Sequence, residues 1–255
     1  MAGHNKWSKI KRKKAVIDSR RSKAWTMCLR AVMVAAKQGG GDPAFNFPLR
    51  TAIDEAKYHN VPKDNLDRAI KKGAGGGEGE NYEHVRYEGY GPGGIALVID
   101  SLTNNRTRTA ADLRLILSKY GGNLGATGCV SFMFETKGRI VVAAPASAEE
   151  KLFEVAAGAG ADDIQFEPAA DGEDQSTFTV LTPPAGFAAV KSAVEAAKFT
   201  ITEARIEPIP TTTTAIAGDA ARQLMDLVDA LEENDDVQRV STNADIPDEV
   251  LAAMQ

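Results

Sequence analysis

With 255 residues, 43% of them hydrophobic and 25% charged, the chain is long enough for one large core or two to three small ones. No run approaches the roughly eighteen uncharged apolar residues of a transmembrane helix, and no apolar stretch follows the basic N-terminus to make a secretory signal. The net charge of −5 hides a separation: residues 1–72 hold 17 Lys+Arg against 6 Asp+Glu, a net of +11, whereas residues 73–255 carry a net of −16.

Residues 1–14 read as an extended or partly disordered basic arm, with Trp7 and Ile10 as its large apolar side chains. A helix follows, with Trp25, Leu29, Val32 and Ala36 on one face and Gly39-Gly40-Gly41 ending it. A second helix is predicted over 47–59 from Leu49, Ala52, Ile53 and Ala56. A third starts at Pro62, buries Leu66, Ala69 and Ile70, and stops at Gly73. Residues 73–80 are a glycine-rich linker by composition, and the charge changes sign there.

Beyond the linker the pattern becomes strand-like. Tyr82–Glu88 alternates, Gly89–Gly94 turns, and Ile95–Ile99 is a continuous apolar run, which predicts a hairpin with a buried second strand. A helix over 107–120 ends at Gly121-Gly122. Val130, Phe132 and Phe134 alternate as a further strand. Then come strand Arg139–Ala143, a helix opened by the capping box Ser147–Glu150, and strands Asp163–Glu167 and Ser176–Leu181 around an acidic turn at Asp171-Gly172. A helix from Thr182-Pro183 and a strand Thr200–Ile209 complete a β-α-β-β-α-β order, the ferredoxin-like arrangement. A last helix (218–233) and strand (Val237–Val240) supply what the 82–134 unit lacks. The fold class expected is therefore α+β: a helical N-terminal domain followed by two ferredoxin-like α/β domains, the third inserted in the second. The domain boundaries expected are 1–76, 77–136 with 211–255, and 137–210.

Enzyme chemistry finds little support. His4, His59 and His84 have no cysteine or second histidine at metal-ligand spacing. No nucleophile elbow, zinc-protease or phosphate-loop motif occurs. Gly91-Pro92-Gly93-Gly94 reads as a tight turn, since its proline removes an N–H that a phosphate cradle needs. Asp171, Glu173 and Asp174, and likewise Glu232, Glu233, Asp235 and Asp236, read as solvated acids. Gly121-Gly122-Asn123 is similar to the Gly-Gly-Gln tip of release factors, but it follows a helix as a C-cap would. Cys28 and Cys129 read as buried, reduced thiols. No catalytic residue, metal or cofactor is expected.

The basic segment carries the functional signal. Lys6, Lys9, Lys11, Arg12, Lys13 and Lys14 surround Trp7, and Arg20, Arg21, Lys23 and Arg30 continue onto the first helix. Such a run can neutralise several phosphates, with an aromatic ring available to stack on an unpaired base. A second basic spot, Asn104-Asn105-Arg106-Thr107-Arg108-Thr109, combines amides, hydroxyls and two guanidiniums. It suits either phosphate contact through Arg106 and Arg108 or a helix N-cap through Asn105 or Thr107. Tyr82, Tyr87 and Tyr90 are expected to pack rather than to stack on bases.

Longer motifs carry a resemblance. Met1-Ala2-Gly3-His4-Asn5-Lys6-Trp7, Gly40-Gly41-Asp42-Pro43, Leu49-Arg50, Asn60-Val61-Pro62-Lys63-Asp64 and Arg68-Ala69-Ile70 resemble the YebC/PmpR family, which includes the mitochondrial translational activator of cytochrome oxidase. Tyr87 through Gly94, Asn104–Thr109 and Gly121–Gly125 extend the match. Asn5 stands where the family more often has serine, and Asn104 where it more often has aspartate. The resemblance implies a three-domain fold and a role in gene expression. Members are described as DNA-binding transcriptional regulators; others act on the ribosome and relieve stalling at proline runs. The protein is thus expected to be a cytoplasmic, non-enzymatic nucleic-acid binder. Its expected partner is DNA or ribosomal RNA, with no membrane or small-molecule substrate.

Overall fold

The computed structural model describes residues 18–75, 82–169 and 174–247, and side chains from residue 23 onward in the first of these segments. The arm (1–14), most of the glycine-rich linker and the acidic turn at Asp171-Gly172 lie outside the described residues. The chain divides into two compact units, residues 1–135 with 209–255, and residues 136–208.

Three helices open the first unit: α1 (Asp18–Gly39), α2 (Phe47–Tyr58) and α3 (Lys63–Ala74). Helical spacing puts Cys28, Val32, Ala35 and Ala36 of α1 on one face, where they meet Leu49 and Ala56 of α2 and Leu66 and Ala69 of α3. A fully buried valine or leucine such as Val32 or Leu49 contributes about 1.5–3 kcal/mol. Asn60 closes α2 with a positive φ of 55°, a conformation that asparagine tolerates. Gly73 does not stop α3 as expected, because the helix continues through it to Ala74. A Cβ there would lie 2.3 Å from the Met33 carbonyl oxygen, so the glycine serves the close approach of α3 to α1.

The same unit holds a four-stranded antiparallel sheet, with β1 (Glu83–Tyr90), β2 (Ala96–Thr103), β3 (Asn123–Leu124) and β9 (Val237–Thr242) in the order β3-β1-β2-β9. Leu97 and Ile99 of β2 face two helices, α4 (Arg106–Lys119) and α7 (Gly218–Glu232), through Leu113, Leu117, Leu224 and Leu227. Ala96 and Val98 point the other way and pack on Val130. Both faces of β2 are thus covered, which is why its sequence is a continuous apolar run rather than an alternation. The turn between β1 and β2 uses Gly93 and Gly94 at φ of 69° and 72°.

Val130, Phe132 and Phe134 do not form one strand. Ser131–Met133 is a single 3-10 turn, and β4 (Phe134–Ala144) starts after it. The cause is Glu88, a buried carboxylate that accepts hydrogen bonds from the N–H groups of Gly128, Val130 and Ser131 at 2.8–2.9 Å. Donors that a strand would pair across a sheet are already committed.

The second unit contains α5 (Glu149–Gly158), β5 (Asp163–Glu167), β6 (Ser176–Thr182), α6 (Phe187–Ala196) and most of β4 and β7 (Thr200–Pro210). Its sheet order, β5-β6-β4-β7, is that of the ferredoxin-like arrangement. Phe178 of β6 and Phe187 of α6 are buried in it. Two helix starts differ from expectation. The Ser147 capping box is absent because a 3-10 turn at Ala146–Ala148 shifts the cap to Ala148, which has no side-chain acceptor. Likewise β6 runs through Thr182, and a turn at Pro184–Gly186 delays α6 to Phe187. The remaining short strands, β8 (Thr214–Ala215) and β10 (Ala244–Asp245), pair in parallel in the first unit.

Candidate nucleic-acid interface

Of the residues expected to meet nucleic acid, Lys6, Trp7, Lys9, Lys11, Arg12, Lys13 and Lys14 lie outside the described residues. Arg20 and Arg21 fall on the first turns of α1, ahead of the described side chains. Lys23, Arg30, Arg106 and Arg108 are described, and each has a carboxylate partner.

Arg30 and Arg108, 78 positions apart in sequence, converge on Asp236. Arg108 donates from Nη2 to Asp236 Oδ2 at 2.7 Å, and Arg30 Nη1 lies 3.7 Å from Oδ1. Thr109 Oγ1 donates to the same carboxylate at 2.8 Å. Arg30 also donates to the Asp235 carbonyl oxygen at 2.7 Å, and its guanidinium lies 5.1 Å from the centre of the Tyr82 ring. Lys23 Nζ reaches the Asp235 carboxylate at 4.0 Å. Asp236 is 5% exposed, so it is not the solvated acid expected from a charge run at a helix end. Burial raises its pKa, but the hydrogen bonds from Arg108, Thr109 and Thr103 and the Arg108 charge outweigh that and hold it below the ordinary value.

Arg106 pairs with Glu83 through both guanidinium branches, and that hydrogen bonding holds the Glu83 carboxyl below its usual range. Asn105 caps α4, its side chain accepting from the Arg108 N–H at 3.1 Å. The Asn104–Thr109 segment is therefore a helix cap, with half-exposed arginines beside it. A phosphate approaching Arg106 or Arg108 would compete with Glu83 or Asp236. Tyr87 and Tyr90 pack as expected, their hydroxyls donating to the carbonyls of Arg106 and Cys129. Cys28 is buried, which pushes its thiol pKa up to about 12, whereas Cys129 is only half-buried.

Sequence reasoning gives no role to the turn between α1 and α2, yet the fold makes it conspicuous. There Phe45 is 91% exposed and Phe47 37% exposed, with the Arg50 guanidinium 5.5 Å from the Phe47 ring centre. The signal that could have found it is a pair of phenylalanines flanking an asparagine cap in a polar turn of the basic segment.

Residues 5–76 match the family profile described as TACO1/YebC protein N-terminal domain, and residues 82–244 match TACO1/YebC second and third domain. The chain belongs to the TACO1/YebC family. A "probable transcriptional regulatory protein" of Desulforapulum autotrophicum is 48% identical over 254 residues, covering all of both chains. One of Citrifermentans bemidjiense is 49% identical, again over the whole of both. The crystal structure of a conserved hypothetical protein from Aquifex aeolicus superposes with a TM-score of 0.82 at 44% identity, covering 92% of this chain and 94% of that one. Among the described residues of this TACO1/YebC chain, no helix is long and apolar enough to cross a membrane.

Proposed function

We propose that this chain is a non-enzymatic regulator of gene expression that binds nucleic acid, in the first instance DNA as a transcriptional regulator of the YebC type. The observation that carries the reading is the charge separation, a net of +11 over residues 1–72 in a chain of net −5. The names of the relatives from Desulforapulum autotrophicum and Citrifermentans bemidjiense support the regulatory role. The arm residues Lys6, Lys9, Lys11, Arg12, Lys13 and Lys14, continued by Arg20 and Arg21, make the phosphate contacts, with Trp7 beside them. Arg30 contributes chiefly by tying α1 to Asp236, which precedes β9, and Arg108 by tying α4 to the same carboxylate.

A second reading is a ribosome-associated factor that binds ribosomal RNA and relieves stalling at proline runs. One observation favours it: α1 and α2 are joined by the seven residues 40–46, against about three or four in a helix-turn-helix. On α2, moreover, Lys57 is paired with Asp54, and Glu55 with Arg239. Beyond the exposed Arg50, little is left on that helix to read base edges. Ultraviolet crosslinking in cells, with sequencing of the attached nucleic acid, tests both readings. Crosslinks to a limited set of promoter DNA segments support the first. Dominant ribosomal RNA crosslinks support the second and overturn the first. Background crosslinking to both kinds of nucleic acid would sink both.

A further inference from the structure

The α1–α2 turn is tied by its own hydrogen bonds, and it leaves Phe45 outward and Phe47 partly exposed. Asn46 is its buried anchor, donating from Nδ2 to the carbonyls of Ala35 and Gly40 at 2.8 Å and accepting from the Leu49 N–H at 3.1 Å. Asp42 fixes the approach, its side chain accepting from the Ala44 N–H and its carbonyl from the N–H groups of Phe45 and Asn46. Phe45, on one side of the anchor, lies outside the helical core, whose apolar positions are filled by others. Phe47, on the other side, carries the Arg50 guanidinium near its ring. The end of α3 adjoins the turn, since a Cβ on Gly41 would lie 3.0 Å from the Ala74 side chain, and Lys71 and Lys72 on that end are exposed.

An aromatic side chain displayed on a fixed turn, with cations beside it and in a segment of net +11, matches a ligand that offers flat apolar faces and negative charge together. A duplex hides its base faces in the stack, so the matching ligand has unpaired bases. We propose that Phe45 and Phe47 form a stacking site for the bases of a single-stranded nucleic acid, with Arg50 placed to meet the adjoining phosphate. This deepens the proposed nucleic-acid binding and rests on it.

The test uses the full chain and fluorescent oligonucleotides of about twelve nucleotides, a length in the range that single-strand binding folds cover. The probes are single-stranded oligouridylate, single-stranded oligothymidylate, a duplex, and an abasic single strand. Phe45→Ala should weaken binding to the base-bearing single strands roughly 5- to 150-fold and leave duplex and abasic binding unchanged. Phe45→Trp should restore it. Tighter binding of oligouridylate than oligothymidylate, or the reverse, identifies the RNA or DNA source. The proposal is overturned if Phe45→Ala binds base-bearing strands like the parent, or if it loses duplex and single-strand binding equally. In the first case nucleic-acid binding itself still stands. A parent chain that binds none of the probes overturns both this site and the function on which it rests.

Discussion

Asp236 shows how a single side chain takes its role from the fold rather than from its neighbours in sequence. It follows Glu232, Glu233 and Asp235 in a run of acids, yet it alone of these is buried against two threonines and two arginines. Because its pKa in the fold lies below the ordinary 3.8, ionised Asp236 stabilises the protein at every pH above that value. The contribution disappears as the pH falls through the depressed value. Asp236→Asn should therefore unfold about 1–3 kcal/mol more easily near neutral pH, and the gap between variant and parent should close in acid. Chemical denaturation across roughly pH 2.5–7 measures this; a gap of constant size would show that ionisation of this group is not what stabilises the clamp. Glu88 belongs to the same class. Its burial opposes ionisation, but three backbone N–H groups hold the carboxyl below its usual range. Neither role was legible in the sequence, since a carboxylate's partners here come from residues tens of positions away.

At the scale of elements, most of the fold was legible. The periodicities of α1, α2 and α7, the apolar run of β2 and the β-α-β-β-α-β order of 136–208 all follow from side-chain spacing. The failures have local causes. The Val130–Phe134 alternation reads as a strand, but Glu88 claims its N–H groups. Gly73 reads as a helix stop, but it is the point where two helices touch. That second case gives opposed expectations for one substitution. Helix propensity alone favours Gly73→Ala by up to about 1 kcal/mol. The 2.3 Å approach of the added methyl group to the Met33 carbonyl oxygen predicts instead a loss of about 1–3 kcal/mol as α3 is pushed off α1. Thermal unfolding of the variant decides between them, and a raised melting temperature would refute the packing account.

For the whole molecule, the proposed function divides labour between charge and fold. On that proposal the basic N-terminal segment, net +11 over residues 1–72, attracts phosphate, and the acidic remainder, net −16 over residues 73–255, is repelled by it, which would confine binding to one end of the chain. The candidate site was legible only as far as composition reached. The density of Lys and Arg around Trp7 stands out in the sequence, whereas the engagement of Arg30 and Arg108 with Asp236 required the fold, as did the display of Phe45. The dependence of nucleic-acid affinity on salt, compared between the parent and a variant with Lys11, Arg12, Lys13 and Lys14 all replaced by alanine, shows whether the arm neutralises phosphates. Every phosphate that the variant no longer neutralises should reduce the slope of log affinity against log salt by roughly 0.7–0.9, so the variant should bind more weakly and with a visibly shallower slope. An unchanged slope would rule out the arm and place the phosphate-binding residues elsewhere on the molecule.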